Sequence, residues 1–464
     1  MYSYQEDFLT VRNIPKDFYD LAKSYFNTYN VQDMLEAKSY YDGKNVTVSL
    51  LKRYYFNDDI IKDGNGNPVL NERGEPLRHS GFVENPYVAN NKIGYGFFSE
   101  MVNQKVDTLL AEIPTTYGYT FDKTYLKNFS YALHEASIEA SCCGKAFVFQ
   151  AVNGEFTVFE TDKCVPFYDD ETGNLKALIR QWTVEPKTGK VKTFIEVYDQ
   201  EKITKYVEQN GVYTVVSSAY YRFNKIQSKL SSTIIPNNAG FPVFELKNNK
   251  NSTSDLTFNI RSKIDSIDIV TSGFANNIED FADVFWTIKT SQNLSGEYYE
   301  SFVANISKSK KVFGEDVEPH QISIPTEARS KFVEERKKEL YEDGGVIDTS
   351  KLTGGSLTNV AIKASTMGLQ RRTSSFEWQV YQTAMEMLKY YIGLNTSVPA
   401  ELDITFNWLI IDNVTETIQN AVLIKDSVSQ KTFLTMLQKS NIINDIDEEI
   451  EEINKDMSSR YAIE

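Results

Sequence analysis

Residues 254–289 read SDLTFNIRSKIDSIDIVTSGFANNIEDFADVFWTIK. Leu256, Ile260, Ile264, Ile267, Phe274, Ile278, Phe281 and Phe285 recur at steps of three and four, with Thr271 in the one polar gap. That spacing predicts an amphipathic helix, and Ser254 or Asp255 stands where an N-cap belongs. Continuous over these 36 residues, the helix runs about 54 Å at 1.5 Å per residue, several times the length of an average globular helix. Gly273 is a candidate break. Two readings stay open: a coiled-coil-like core helix, or a spoke that packs against copies of itself.

Upstream, the pattern has two parts. Val31–Tyr41 predicts a helix, and Asp63–Pro76 holds two turn signals. Phe98, Met101, Val102, Val106, Leu109, Leu110 and Ile113 mark an amphipathic helix that Pro114 stops. Leu126, Phe129, Leu133, Ala136 and Ala140 mark a second, with Gly144 as its C-terminal cap. The period then changes to two. Phe147 and Phe149 lead into Asn153-Gly154, a strong hairpin signal, and Phe156 and Val158 continue beyond it. Further strands are expected at 178–184, 193–198, 205–208 and 213–216, so residues 145–245 form a β-rich module grafted onto helices.

Downstream, residues 284–326 read as a small α+β insertion with a short helix near Glu297–Ser307 and strands on either side. A charged helix, Glu327–Glu342, leads into a glycine-flanked segment ending at Asn359, of a length that between helices is usually functional or disordered. Its paired glycines permit hinge-like backbone freedom. A long helix over Val360–Ile392 carries Arg371 and Arg372, and short helices finish the chain, one of them capped by Ser429. The fold class expected is α+β.

The 464 residues suggest about three modules. Forty-nine Lys and Arg against 64 Asp and Glu give a net charge of −15, unlike a protein that holds nucleic acid by neutralising phosphates. Cys142, Cys143 and Cys164 form neither a disulfide framework nor a metal-ligand spacing. Met1 to Asn13 has no apolar h-region, and the apolar runs near Phe281–Ile288 and Thr405–Ile411 fall short of the roughly 18 residues of a membrane span. A soluble protein made in a cytoplasm is expected.

Catalytic motifs fail. His79, His134 and His320 lie apart, outside HExxH or any nucleophile signature. Gly94-Tyr95-Gly96 lacks the third glycine of a dinucleotide fingerprint, and Gly144-Lys145 lacks the rest of a P-loop. Asp63-Gly-Asn65-Gly-Asn67 starts like a calcium loop, but Pro68 replaces the turn glycine and Gly74 the bidentate glutamate, so a hairpin tip is expected. No catalytic residue, metal or cofactor is assigned.

In order along the chain, several strings resemble the portal proteins of tailed bacteriophages, especially long-tailed phages of Gram-positive hosts. They begin at Asn90-Asn-Lys92-Ile93 and the Phe98–Pro114 helix, continue through Ala140–Phe149, and include Val197-Tyr198-Asp199 with Ile203 and Tyr206. The most specific is Ile235-Pro-Asn-Asn-Ala-Gly240-Phe-Pro-Val-Phe244, then Asn248-Asn249 and Ser254-Asp255-Leu256, followed by Ile264-Asp265, Asn276 and Asp280. Glu416, Ser429-Gln-Lys-Thr432 and Asp447-Glu448-Glu449-Ile450 close the series, while Thr358-Asn359 departs from the family's usual Ser-Gly.

The resemblance implies a ring, most commonly a dodecamer, at one capsid vertex, with a channel for DNA packaging and ejection. It implies a wing over 1–252, stem helices over 253–283 and 327–342, a clip over 284–326, a tunnel loop over 343–359, a long wing helix over 360–393 and a crown over 394–464. The loop residues expected to face DNA are Gly344, Gly345, Ile347, Lys351, Leu352, Gly354, Gly355 and Leu357. Clip residues expected to meet motor and adaptor are Glu297, Tyr298, Tyr299, Lys308, Lys310 and Lys311. Implied partners are the terminase large subunit, a head-completion adaptor, the major capsid and scaffold proteins, and double-stranded DNA without sequence specificity. The implied location is the virion, after assembly in the host cytoplasm. The alternatives are another virion or scaffold interaction protein without a channel, or a dispersed-carboxylate hydrolase or nuclease.

Overall fold

The structure, a computed structural model, describes residues 31–348, 359–409 and 419–461. Excepted are 65, 72, 86–87, 170, 186–190, 201, 210–211, 221–222, 226–231, 235–239, 282–284, 289–316, 321–325, 420–421, 424, 440–442 and 444–445. Its main helices are α1 (Val31–Tyr41), α2 (Phe97–Leu110), α3 (Lys123–Cys143), α4 (Phe258–Phe281), α5 (Thr326–Gly344), α6 (Asn359–Gly393), α7 (Gln430–Lys439) and α8 (Ile446–Tyr461). The chain forms two units: Met1–Tyr41, Phe98–Thr257 and Tyr341–Glu464 make one, Asp42–Phe97 and Phe258–Leu340 the other.

The first unit is built on two antiparallel sheets. Five strands form a meander, with Cys164–Tyr168, Leu175–Val184, Lys192–Tyr198, Lys202–Gln209 and Val212–Tyr220 adjacent in that order. The second sheet places Lys145–Gln150 between Phe156–Phe159 and Val243–Lys247. Phe147 and Phe159 are cross-strand partners and share a buried core with Cys164, Leu178, Tyr198 and Val243. Ala146 and Val148, on the opposite face, are equally buried, and α3 packs against this strand. The Asn153-Gly154 turn forms as expected, with Gly154 at φ +83° and its N–H on the Ala151 carbonyl. Asp122 caps α3 and Gly144 ends it in the left-handed conformation. Ser429 caps α7, its Oγ accepting from the Thr432 N–H at 3.2 Å. All three cysteines are buried and free, and burial pushes each thiol pKa up.

The second unit centres on α4. Ile260, Ile264 and Ile267 are buried, and beside them runs a polar row at four-residue steps. Asp268 accepts from Asn45 Nδ2 at 2.8 Å and from the Tyr95 N–H at 3.3 Å. Ser272 Oγ accepts from the Ile93 N–H at 2.9 Å, and Asn276 Oδ1 from the Asn91 N–H. Segment 91–95 therefore lies along the helix, held through its backbone. Tyr54–Ile60 and Arg78–Glu84 pair in a two-stranded ribbon. In its extension, Asp63 accepts the Asn67 N–H and Gly66 sits at φ +84°, the geometry of a turn.

The expected 36-residue helix is corrected at both ends. It begins at Phe258: Ser254 Oγ accepts from the Leu256 N–H, and Asp255 is engaged elsewhere. It is helical through Gly273 and ends at Phe281, and Phe285–Ile288 is a strand paired with Val317–His320. The short helix expected near Glu297–Ser307 lies outside the described residues.

Candidate functional site

In the first unit, the glycine-flanked segment leaves α5 through a C-terminal motif closed by two backbone bonds. The Gly345 N–H bonds to the Glu342 carbonyl at 3.2 Å and the Val346 N–H to the Tyr341 carbonyl at 3.0 Å, with Gly345 at φ +58°. This is the Schellman arrangement, in which glycine takes the left-handed position without a Cβ penalty. A Cβ on Gly345 would also stand 3.1 Å from the Gly368 carbonyl oxygen of α6, and one on Gly368 would meet Gly345 in turn. This first glycine pair thus serves turn geometry and close helix approach, not hinge freedom.

Beyond the cap the chain is held on both sides. Val346 and Ile347 are buried. Gln104 of α2 accepts the Ile347 N–H at 2.9 Å and donates to its carbonyl at 3.0 Å. Arg372 of α6 donates through Nη1 to the Gly344 carbonyl at 2.6 Å. Its Nη2 lies 2.7 Å from Asp255 Oδ2, which Lys105 Nζ also meets at 2.6 Å.

This ion cluster is fully engaged, with Lys105 buried and the Asp255 and Arg372 side chains largely enclosed. Lys105, 1% exposed, donates also to Asn248 Oδ1 at 2.8 Å, and its ammonium lies 4.2 Å from the centre of the Phe376 ring. Asn248 Nδ2 donates back to Asp255 Oδ1 at 3.0 Å and to the Thr253 carbonyl. Gly144 permits the fold of this segment, since a Cβ there would collide with the Ser252 carbonyl. Burial pushes the Asp255 carboxyl up, but Lys105 and Arg372 pull it further down, to about 2. A buried charge is tolerated only when paired and hydrogen-bonded, and here one carboxylate, one amide, one carbonyl and one ring face answer two cations.

The structure thus places Gly344, Gly345 and Ile347 at the anchored root of the loop, with Ile347 buried. Lys351, Leu352, Gly354, Gly355 and Leu357 lie outside the described residues, as do Glu297, Tyr298, Tyr299, Lys308, Lys310 and Lys311. Lys105 and Gln104 were not among the residues expected to matter, and Asp255 was expected as a helix cap and as part of the family string, not as the partner of two cations. Lys105 did leave a signal: it stands four residues from both Met101 and Leu109, on the apolar face of α2.

The cluster has no activated nucleophile and no general acid poised over a cleft; its chemistry is positional. A separate cleft of about 630 Å³ between Val243–Lys247 and α6 carries Glu245, Lys247, Glu386 and Lys389, acids and bases that offset one another. Among the described residues, no group of three or more His, Cys, Asp or Glu side chains is placed to hold a metal ion, and no helix is long and apolar enough to cross a membrane.

Residues 22–460 match the family described as phage portal protein, SPP1 Gp6-like. The chain is also 25% identical over 409 residues to the portal protein of Clostridium phage phiCD119, covering 78% of this chain and 80% of that one.

Proposed function

The chain belongs to the SPP1 Gp6-like family of phage portal proteins, and from that premise we propose that it forms the ring through which the genome enters and leaves the capsid. Proteins of this family are structural components of the virion, at the capsid, and not enzymes. In our reading the ring is a dodecamer at one vertex, assembled in the host cytoplasm. Residues 1–252 and 360–393 form its wing, 253–283 and 327–342 its stem, 284–326 its clip and 394–464 its crown. The clip receives the terminase large subunit during packaging and the head-completion adaptor afterwards, while major capsid and scaffold proteins surround the rim.

The observation that carries the channel reading is the anchored root at Gly344–Ile347 within a chain matched almost end to end by the family. A loop that meets moving DNA needs a fixed base, and two helices and a buried ion cluster supply one. From that base, residues 349–358 reach the DNA, with Lys351 as their only cation. Charge supports the same reading. Lys and Arg contacts to phosphate create strong, salt-dependent adhesion, so a conduit is better served by an acidic chain, here at −15. The test is native mass with electron micrographs of the purified chain. A particle of about twelve times the 53.1 kDa chain mass, with a central hole, is expected. A chain that stays monomeric at all concentrations, with and without scaffold, overturns the reading.

A further inference from the structure

Helix α6 buries Leu369, Phe376, Val380 and Ala384 and leaves its opposite face in solvent. Along that face stand Met367, Arg371, Ser374 and Trp378, at steps of four, three and four, all exposed. Met367 is 66% and Trp378 67% exposed, unusual values for side chains this large and apolar. No ion pair engages the Arg371 guanidinium among the described residues. Methionine, arginine and tryptophan are enriched at protein interfaces, and tryptophan and arginine dominate their hot spots. One helical row holds all three over about 17 Å of axis, the composition of an interaction surface.

The same unit carries a matching surface on α3. Tyr131 is 64% exposed and donates to Glu135 Oε1 at 2.5 Å, one turn along the helix. An aromatic–carboxylate pair complements an arginine–tryptophan pair in charge and in ring surface. The two patches differ, so contact between them is head-to-tail, the kind that repeats around a closed ring. DNA suits this face of α6 less well, because its exposed cations, Lys363 and Arg371, stand about two turns apart with Met367 between them and Trp378 beyond, where a phosphate tracker has successive cations.

We propose that the Met367–Trp378 face of α6 docks on the Tyr131–Glu135 face of α3 in a second copy of this chain, Arg371 meeting Glu135 across the contact. The proposal rests on the ring reading above and names its subunit interface. The experiment follows assembly of the full chain by native mass against concentration, for wild type, Arg371→Glu, Trp378→Glu, and Arg371→Glu combined with Glu135→Arg. Each single change should raise the concentration for half-assembly at least about tenfold, the scale of one hot spot, and the charge swap should recover most of it. A second readout is independent of assembly strength. Ser374→Cys and Tyr131→Cys in one chain, oxidised, should give a ladder of covalent multimers, the three native thiols being buried. Single variants that assemble like wild type, or a swap without rescue, overturn the proposed contact while the ring stands. If wild type forms no ring, the ring reading fails, and the cysteine pair still decides: a ladder of smaller multimers supports the contact and its absence overturns it.

Discussion

Asp255 answers two cations, and that imbalance decides which substitution costs most. Asp255→Ala leaves the buried Lys105 and the part-exposed Arg372 beside each other with only neutral acceptors, a loss of about 3 kcal/mol. Lys105→Met leaves a one-to-one pair of Asp255 and Arg372 and strands mainly the Asn248 oxygen, about 1–3 kcal/mol. Urea midpoints of the two variants check the order, and Lys105→Met as the worse lesion contradicts it. The two buried aspartates also give stability opposite pH dependences. Asp255, depressed from 3.8 to about 2, contributes stability that is full above 3.8 and is lost as pH falls through about 2. Asp268 of α4 is raised from 3.8 to about 6 by burial, so its contribution is full below 3.8 and lost as pH rises through about 6. Protection of the α4 amides, corrected for intrinsic exchange, should therefore be greater near pH 5 than near pH 7.5. Asp268→Asn should flatten that difference; an unchanged slope means another group governs it.

Among the elements, those with a strong period or a cap were legible in the chain. Asn153-Gly154 makes its hairpin, Ser429 its cap, and Phe98 to Leu110 a buried stripe. The end of α4 was not. Phe285 fits both the helical spacing and the strands expected within 284–326, and Phe285–Ile288 pairs with Val317–His320, because a short apolar run fits a strand as well as a helix and partners about thirty residues away decide. The ion cluster was hidden for a related reason. Its members come from α2, α6 and the 248–255 segment, and no local pattern joins them. The glycines of the loop illustrate how one residue type serves two ends: hinge freedom was expected of Gly344 and Gly345, and a cap and helix contact are what the first pair makes. Gly345→Ala should accordingly cost about 1–2 kcal/mol for the left-handed backbone alone, with crowding against Gly368 added. Faster hydrogen exchange at Val346 and Ile347 is the local readout. Unchanged protection there, with stability intact, shows that the cap is not what fixes the root.

At the scale of the whole molecule, the anchored root separates two experiments that the sequence alone merges. Removing the whole of 344–359 tears out the α5 cap, the Gln104 bonds to Ile347 and the Arg372 bond to Gly344, so a packaging defect from that deletion says nothing specific about DNA. Replacing only 349–358 with a glycine–serine linker of equal length keeps every one of those contacts. If the loop is the element that meets DNA, this variant should assemble and melt like wild type yet package less DNA in a motor-driven assay. Lys351→Ala alone should act in the same direction but weakly, since one phosphate contact is a small part of any backbone grip, and its effect should fade as salt rises. Normal packaging by the linker variant rules the loop out as the DNA-facing element. A defect equal at low and high salt places its role in shape and contact, with the charge of Lys351 incidental.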